Sequence, residues 1–191
     1  MKHLGFAVLV LLAGCASIAN RPKPAGNEAE RVTYLAAQAH WAFSGRVAYA
    51  HAGKGGSARI QWRQNGEASD IRLSGPLAMG SAHLRLNADH AEILDAAGQP
   101  VKSGPPEMLL AELLQIPGPL PALPHGLRAF WPEKPEWNAA AATGSVRIDD
   151  WSWQYAEWRD EPVRLPGTVV IERGPTRLRL VIDQWQELPH D

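Results

Sequence analysis

SARIQWRQNGEASDIRLSGPLAMGSAHLRL, residues 57–86, decides how the rest of the chain folds. Ala58, Ile60 and Trp62 alternate with Arg59, Gln61 and Arg63, the period-two pattern of a strand with one buried face. Asn65-Gly66 is a strong hairpin signal, and Ile71 and Leu73 resume the alternation against Arg72 and Ser74. The residues Gly75-Pro76-Leu77-Ala78-Met79-Gly80 make a second turn, yet its centre is Leu-Ala-Met, where polar residues are the norm. Ala82, Leu84 and Leu86 restart the apolar face beyond it. An apolar turn tip either folds back onto the core or leaves water. On these residues alone the fold-back reading leads, because isolated apolar side chains are common at surfaces.

The same alternation extends in both directions. Phe43, Gly45, Val47 and Tyr49 share one face, and Gly53-Lys54-Gly55-Gly56 follows as a hairpin turn. That cluster is not a phosphate loop, since the lysine precedes the second glycine pair and no Ser or Thr follows it. Downstream come Ala91-Glu92-Ile93-Leu94 and a turn at Ala97-Gly98. Later strands are expected over 145–148, 151–155, 168–171 and 177–183. In them Trp151, Trp153 and Tyr155 face one way, and Leu178, Leu180 and Ile182 alternate with Arg177, Arg179 and Asp183. The pattern amounts to about nine or ten short strands with tight connections, an antiparallel meander. A curved sheet of that number encloses more space than its own side chains fill, so it can hold an apolar ligand. The competing architecture packs the sheet flat on helices and leaves no cavity.

Two helices are expected to accompany the sheet. Asn27 caps the first, with Glu30 in capping-box position and Val32, Leu35, Ala36 and Ala39 as its apolar stripe. Pro106 and Glu107 open the second, in which Leu109, Leu113 and Ile116 line one side and Leu110 and Leu114 widen it. Pro117, Pro119, Pro121 and Pro124 then stop regular structure until a single helical turn over 127–131, ended by Pro132. Helix and proline-rich loop together read as a lid. The fold class is therefore α+β, mainly antiparallel β: an open, incompletely closed barrel or curved sheet, covered by short helices, with a hydrophobic cavity inside.

Composition narrows the function. The 191 residues suffice for one domain with appendages, and a hydrophobic content of 45% with 20% charged excludes a wholly disordered chain. A net charge of -1 leaves no electrostatic footprint for nucleic acid. Eight Trp against three Phe points to large amphipathic side chains around a cavity or interface, with core filling as the plainer use. Catalytic chemistry is missing: there is no G-x-S-x-G elbow. His3, His40, His51, His83, His90, His125 and His190 are scattered without metal-ligand spacing. Asp149-Asp150 and Asp160-Glu161 read as solvated turns.

The single cysteine matters by position. Lys2 and His3 precede the apolar run Leu4 to Leu12, too short to span a bilayer as a stable helix. The run ends in Leu12-Ala13-Gly14-Cys15, which resembles the lipobox of bacterial lipoproteins. That resemblance implies a signal peptide over 1–14, acylation at Cys15 and a polar tether over 15–26, followed by one domain over 27–191. Ala16 after the cysteine, where inner-membrane lipoproteins typically carry Asp, implies the outer membrane. Acyl chains contribute about 0.8 kcal/mol per buried CH₂, and two or more give stable anchoring.

The domain itself resembles the LolB family of outer-membrane lipoprotein receptors. The carriers are Trp41-x-Phe43-x-Gly45-Arg46-Val47, Ala58-x-Ile60-x-Trp62-x-Gln64, and Gly75-Pro76-Leu77 with Gly80-Ser81-Ala82. Leu120-Pro121, Trp151 with Tyr155 and Trp158, Leu165-Pro166, and Leu178-Arg179-Leu180 closing on Trp185 complete the series. Ala78 departs from the family pattern where a second glycine is usual, and Phe130 and Glu133 depart after the proline-rich loop. The resemblance implies an open antiparallel barrel covered by helices, with a cavity for acyl chains and no cofactor. It implies a receptor that accepts lipoproteins from a soluble periplasmic (LolA-like) carrier and inserts them into the inner leaflet of the outer membrane. The partners would be that carrier, lipoprotein cargo and outer-membrane lipids, with no nucleic acid and the chain a monomer. Ile60, Trp62, Ile71, Leu73, Leu84, Trp151, Trp153, Leu180 and Ile182 are expected in the cavity, with Leu109, Leu113 and Ile116 in the lid. For a tethered lipid-handling protein the reading of the turn reverses: Leu77 becomes a point that touches the bilayer, restrained by Pro76 and supported by Met79. Two other classes stay open, a structural lipoprotein of the outer membrane without a transfer role and a lipid-modifying enzyme.

Overall fold

A computed structural model describes residues 27–75, 81–87, 89–114, 117–160 and 163–187, with Leu110, Ala111, Leu113 and Leu114 as backbone only. It opens with helix α1 (Glu28–Ala36), whose N-cap Asn27 accepts from the Glu30 amide at 2.8 Å. This satisfies one of the donors that a helix start leaves open. Six strands follow in a meander: β1 (His40–His51), β2 (Lys54–Asn65), β3 (Ala68–Ser74), β4 (Ala82–Leu86), β5 (Ala91–Leu94) and β6 (Pro100–Gly104). Next come α2 (Pro106–Leu114), a 3₁₀ turn (Leu120–Ala122), α3 (Leu123–Gly126) and α4 (Pro135–Ala142). The last four strands are β7 (Ser145–Ile148), β8 (Trp151–Ala156), β9 (Thr168–Arg173) and β10 (Thr176–Glu187).

All ten strands form one antiparallel sheet in the order β6-β5-β4-β3-β2-β1-β10-β9-β8-β7. The sheet is not closed, because its two edges are β6 and β7, and the chain crosses between them through α2, α3 and α4. It is nevertheless strongly curved. β4 and β10 are four positions apart, roughly 19 Å in a flat sheet at ~4.8 Å per strand, yet Leu84 and Leu180 line one small pocket. A bulge between Ser44 and Gly45, where β1 pairs with β10, adds local twist. A Cβ at Gly45 would collide with the backbone of Val181 and Ile182, so only glycine lets the strands approach here.

Cross-strand rows set the inner face. Phe43, Trp62, Ile71 and Leu84 lie in one register row, and Ile60 pairs with Gly45 and Leu73. Trp41, Phe43, Trp62 and Trp185 form an aromatic cluster, with Trp185 centred 5.3 Å from Phe43 and 5.8 Å from Trp41. The Trp185 indole donates to the Pro166 carbonyl at 3.0 Å, which ties the Leu165-Pro166 loop to the last strand.

Three elements depart from the sequence expectations. Regular structure resumes before residue 127, because α3 starts at Leu123 with Pro124 in its first turn, where a missing N–H costs nothing. Of the turn expected over 127–131, the amides of Leu127, Arg128 and Ala129 continue the hydrogen-bonded turns of α3, and the positive φ of Ala129 ends them before Trp131. Helix α4 and edge strand β6 were not expected at all. Pro135 starts α4, and its buried residues are only Asn138 and Ala141, so no broad apolar stripe marks it. Asn138 replaces a backbone partner there: its Oδ1 accepts from the Trp131 amide (2.7 Å) and its Nδ2 donates to the Trp131 carbonyl (2.9 Å).

Candidate functional site

The inner face of the sheet meets the segment after α2 at an apolar pocket of about 90 Å³. Its floor comes from five adjacent strands, with Ile60, Leu73, Leu84, Leu178 and Leu180 among the lining side chains. Its roof is Pro117 and Gly118, then Leu120 of the 3₁₀ turn and Leu123 of α3. The only polar side-chain atoms among the lining residues are the Tyr49 hydroxyl and the Trp62 indole N–H, and the indole donates to Gln64 Oε1 at 2.9 Å. Such a surface can bind by apolar burial. Pockets that enclose a ligand run to about 300–1,000 Å³, so the roof is closed down on the floor in this state.

Six of the nine residues expected in the cavity line this pocket: Ile60, Trp62, Ile71, Leu73, Leu84 and Leu180. Trp151, Trp153 and Ile182 are buried but do not line it. They lie where the sheet packs directly on other groups. Gly126 of α3 sits so close over the Trp153 indole that a Cβ would overlap it, and Trp131 meets Trp153 edge-on at 6.1 Å. Ile182 is fully buried near the bulge, and Trp151 is covered by the Arg173 guanidinium at 4.3 Å. Of the expected lid, Leu109 is buried on α2, which packs on β5 and β6 at the edge of the sheet. The side chain of Leu113, and Ile116, Pro76, Leu77, Met79 and Cys15, lie outside the described residues.

The roof falls in the proline-rich loop that the sequence reads as part of the lid, but Leu120 and Leu123, its apolar contacts, were not singled out for it. The sequence reading missed what fastens this region. Arg31, 2% exposed, donates to the carbonyls of Arg128 (3.2 Å) and Ala129 (2.7 Å) and pairs with Glu28 at 2.7 Å. Arg128 in turn donates to the Leu35 and Gln38 carbonyls at the end of α1. Burial, and after it the charge of Arg31, lowers the Arg128 guanidinium to about 10, which leaves it protonated at neutral pH. Ala129, wholly buried, takes a positive φ of 51°, a strained conformation for a residue with a Cβ.

The opposite face of the sheet is polar. A groove of about 740 Å³ there is lined by Arg63, Arg72, Arg85, Asp70 and Glu92 among others. Asp70 collects His83 at 2.8 Å, Arg72 at 3.6 Å and Arg85 at 3.7 Å. These charges lie on the face opposite the apolar floor of the pocket.

The sequence profile described as "Outer membrane lipoprotein LolB" matches residues 39–185. The chain belongs to the LolB family. It is 34% identical over 190 residues to the outer-membrane lipoprotein LolB of Aeromonas salmonicida, covering 97% of this chain and 96% of that one. It is 31% identical over 182 residues to the protein of the same name from Azoarcus sp., covering 93% and 91%. The LolA superfamily protein NE2245 from Nitrosomonas europaea is similar over 86% of this chain and 96% of its own. Its TM-score of 0.49 and 9% identity are too slight to carry an inference about this chain. LolB relatives are outer-membrane lipoproteins, which places this chain at the outer membrane, lipid-anchored and facing the periplasm. The family name is that of a lipoprotein, not of an enzyme. Family residues named from sequence have visible work here: Trp41, Phe43, Trp62 and Trp185 build the aromatic cluster, and Ile60 and Leu180 floor the pocket.

Proposed function

We propose that the chain is a receptor which accepts lipoproteins from a LolA-like periplasmic carrier, holds their acyl chains against the inner face of its sheet, and delivers them to the inner leaflet of the outer membrane. The observation that carries this reading is the predominantly apolar pocket beneath a roof of Pro117, Gly118, Leu120 and Leu123. Acyl chains enter only when the roof, Pro117 to Leu123, moves off the floor. Most of that segment carries no strand pairing, so its movement breaks no sheet ladder. Closure fills the pocket with the receptor's own side chains, which weakens retention and lets cargo leave for the bilayer. Binding has to be intermediate, because a receptor that held acyl chains better than lipid does would never release them.

The turn between β3 and β4 supplies the membrane contact in this reading, with Leu77 as its point and Pro76 and Met79 in support. Cys15 is the lipidated residue that keeps the domain at the surface, with 15–26 as the lipidated N-terminus and tether to a single folded unit over 27–191. The test is transfer: a purified carrier–lipoprotein complex is mixed with the anchored protein and vesicles, and the cargo is followed. Cargo reaching the vesicles only when the protein is present supports the reading. Cargo that stays on the carrier contradicts it.

One observation favours a second reading, a structural lipoprotein without a transfer role: the pocket is only about 90 Å³ as it stands. A roof that never opens in the presence of acylated cargo, followed by hydrogen exchange over 117–126, decides for that alternative.

A further inference from the structure

Beside the apolar pocket, and sharing Trp62 and Leu120 with it, lies a cleft of about 510 Å³ between α1, β2 and the roof segment. Unlike the pocket, it is large enough for a ligand group as it stands. Trp41, Trp62 and Phe130 give it aromatic walls, and Gln64 and Ser69 give it one polar edge. That edge has spent its hydrogen bonds internally. Trp62 Nε1 and Ser69 Oγ both donate to Gln64 Oε1, at 2.9 and 2.7 Å, and Gln64 Nε2 donates to the Gly66 carbonyl at 2.9 Å.

Arg128 is different. It lines the cleft at 6% exposure, and both of its hydrogen bonds leave from Nη1, to Leu35 and Gln38 carbonyls at 3.4 and 3.1 Å. Its Nε is buried with no partner, and so is Nδ1 of His125, which lines the same cleft. Among the described residues no carboxylate forms an ion pair with Arg128; the carbonyls ending α1 stand in for one. A buried donor left without an acceptor is costly, and is a place where a ligand oxygen gains most.

We propose that this cleft is the head-group subsite of the acyl pocket, where Arg128 donates to the ester or amide carbonyl oxygens that join a cargo's acyl chains to its modified cysteine. The chains then run past Trp62 and Leu120 into the apolar pocket. The inference rests on the acyl-binding reading above and deepens it. A phosphate head fits less well. One guanidinium faces the cleft, the neighbouring Arg31 is committed to Glu28 and two carbonyls, and Glu67 lines the cleft with a negative charge. A single cation bordered by aromatic surface and a carboxylate suits neutral acceptor oxygens better than a full anion.

The test uses the full-length protein in nanodiscs and three short-chain, water-soluble probes, with binding read from tryptophan fluorescence. The probes are the dihexanoyl ester of S-glyceryl cysteine, its dihexyl ether analogue lacking both carbonyls, and dihexanoyl phosphatidylglycerol. The ester is expected to bind about tenfold tighter than the ether, the worth of a hydrogen bond to a charged group, and tighter than the phosphatidylglycerol. In Arg128→Met the ester–ether gap is expected to close, and in Arg128→Lys to persist in part. The ligand comparison is made on the unaltered protein, so a variant that fails to fold does not remove the test. Equal binding of ester and ether overturns the subsite while leaving acyl binding intact. Tighter binding of the phosphatidylglycerol assigns the cleft to membrane phospholipid and overturns the proposal. Binding of none of the three sinks the acyl-pocket reading itself, and the subsite with it.

Discussion

Arg31 and Arg128 each donate to the backbone of the segment that carries the other. Arg31 reaches the carbonyls of residues 128 and 129, and Arg128 reaches those of residues 35 and 38. The first helix and the end of the roof segment are thereby locked together by two buried guanidinium groups. Two like charges tolerate this proximity because carbonyls and Glu28 surround them. The lock fixes one end of the segment whose other end, Pro117 to Leu123, covers the apolar pocket.

Removing one half of the lock tests its worth. Arg31→Met leaves two buried carbonyls without donors, at about 1–3 kcal/mol each. A loss of about 2–4 kcal/mol is expected in urea unfolding, and Arg31→Lys is expected to recover part of it. A loss below about 0.5 kcal/mol would show that α1 and the roof are held by something else.

Gly126 tests the seat of α3 on the sheet. Gly126→Ala puts a methyl group into the Trp153 indole, which is fully buried and cannot swing away. Overpacking of this kind costs about 1–3 kcal/mol. A lowered Tm with altered tryptophan emission is expected, while unchanged values would mean that α3 lifts freely.

This crowding also shows where the sequence was legible and where it was not. Alternation alone located nearly every strand, because one-face burial imposes a period of two on residues such as Ile60, Trp62, Leu178 and Leu180. Those same residues floor the pocket, so half the site came with the fold. Trp153 and Ile182 carry the identical signal but lie under α3 and beside the bulge, and no sequence period tells which part of a buried face is left open. The proline-rich loop was legible as part of a lid, but its inner structure was not: its prolines hide a 3₁₀ turn and a short helix with no room for periodicity. Arg128 was invisible, because its role depends on carbonyls about ninety residues away.

His125 gives the fold a pH dependence. Burial first, and the Arg128 charge second, lower its pKa below the ordinary 6.5. The folded state therefore holds fewer protons than the unfolded state between those two values. The stability His125 contributes is full above about pH 6.5 and is lost as pH falls through the folded pKa. The urea midpoint is expected to fall on going from pH 7.5 to about pH 5, and to fall less in His125→Gln. An equal fall in both proteins contradicts the assignment.

The apolar turn carries the proposed membrane step. Leu77 gains roughly 1.5–3 kcal/mol if its side chain is fully buried in acyl chains, enough to bias a tethered domain toward contact and too little to anchor it. Leu77→Glu is expected to leave the fold and acceptance of cargo nearly intact while reducing insertion into vesicles, and Leu77→Phe is expected to be tolerated. Normal insertion by Leu77→Glu, or its unfolding, would mean that the turn folds back onto the core.

The most direct measurement of the central claim is binding of acylated cargo by the unaltered protein and by Leu180→Glu, with circular dichroism on both. Leu180 is 4% exposed on the pocket floor, and a carboxylate there is costly beside acyl chains. The variant is expected to keep its sheet spectrum and lose at least about tenfold in affinity, one unit of 1.4 kcal/mol, with Ile60→Glu as the companion if Leu180→Glu does not fold. A folded variant that binds acylated cargo as well as the unaltered protein would contradict the pocket as the acyl-chain site.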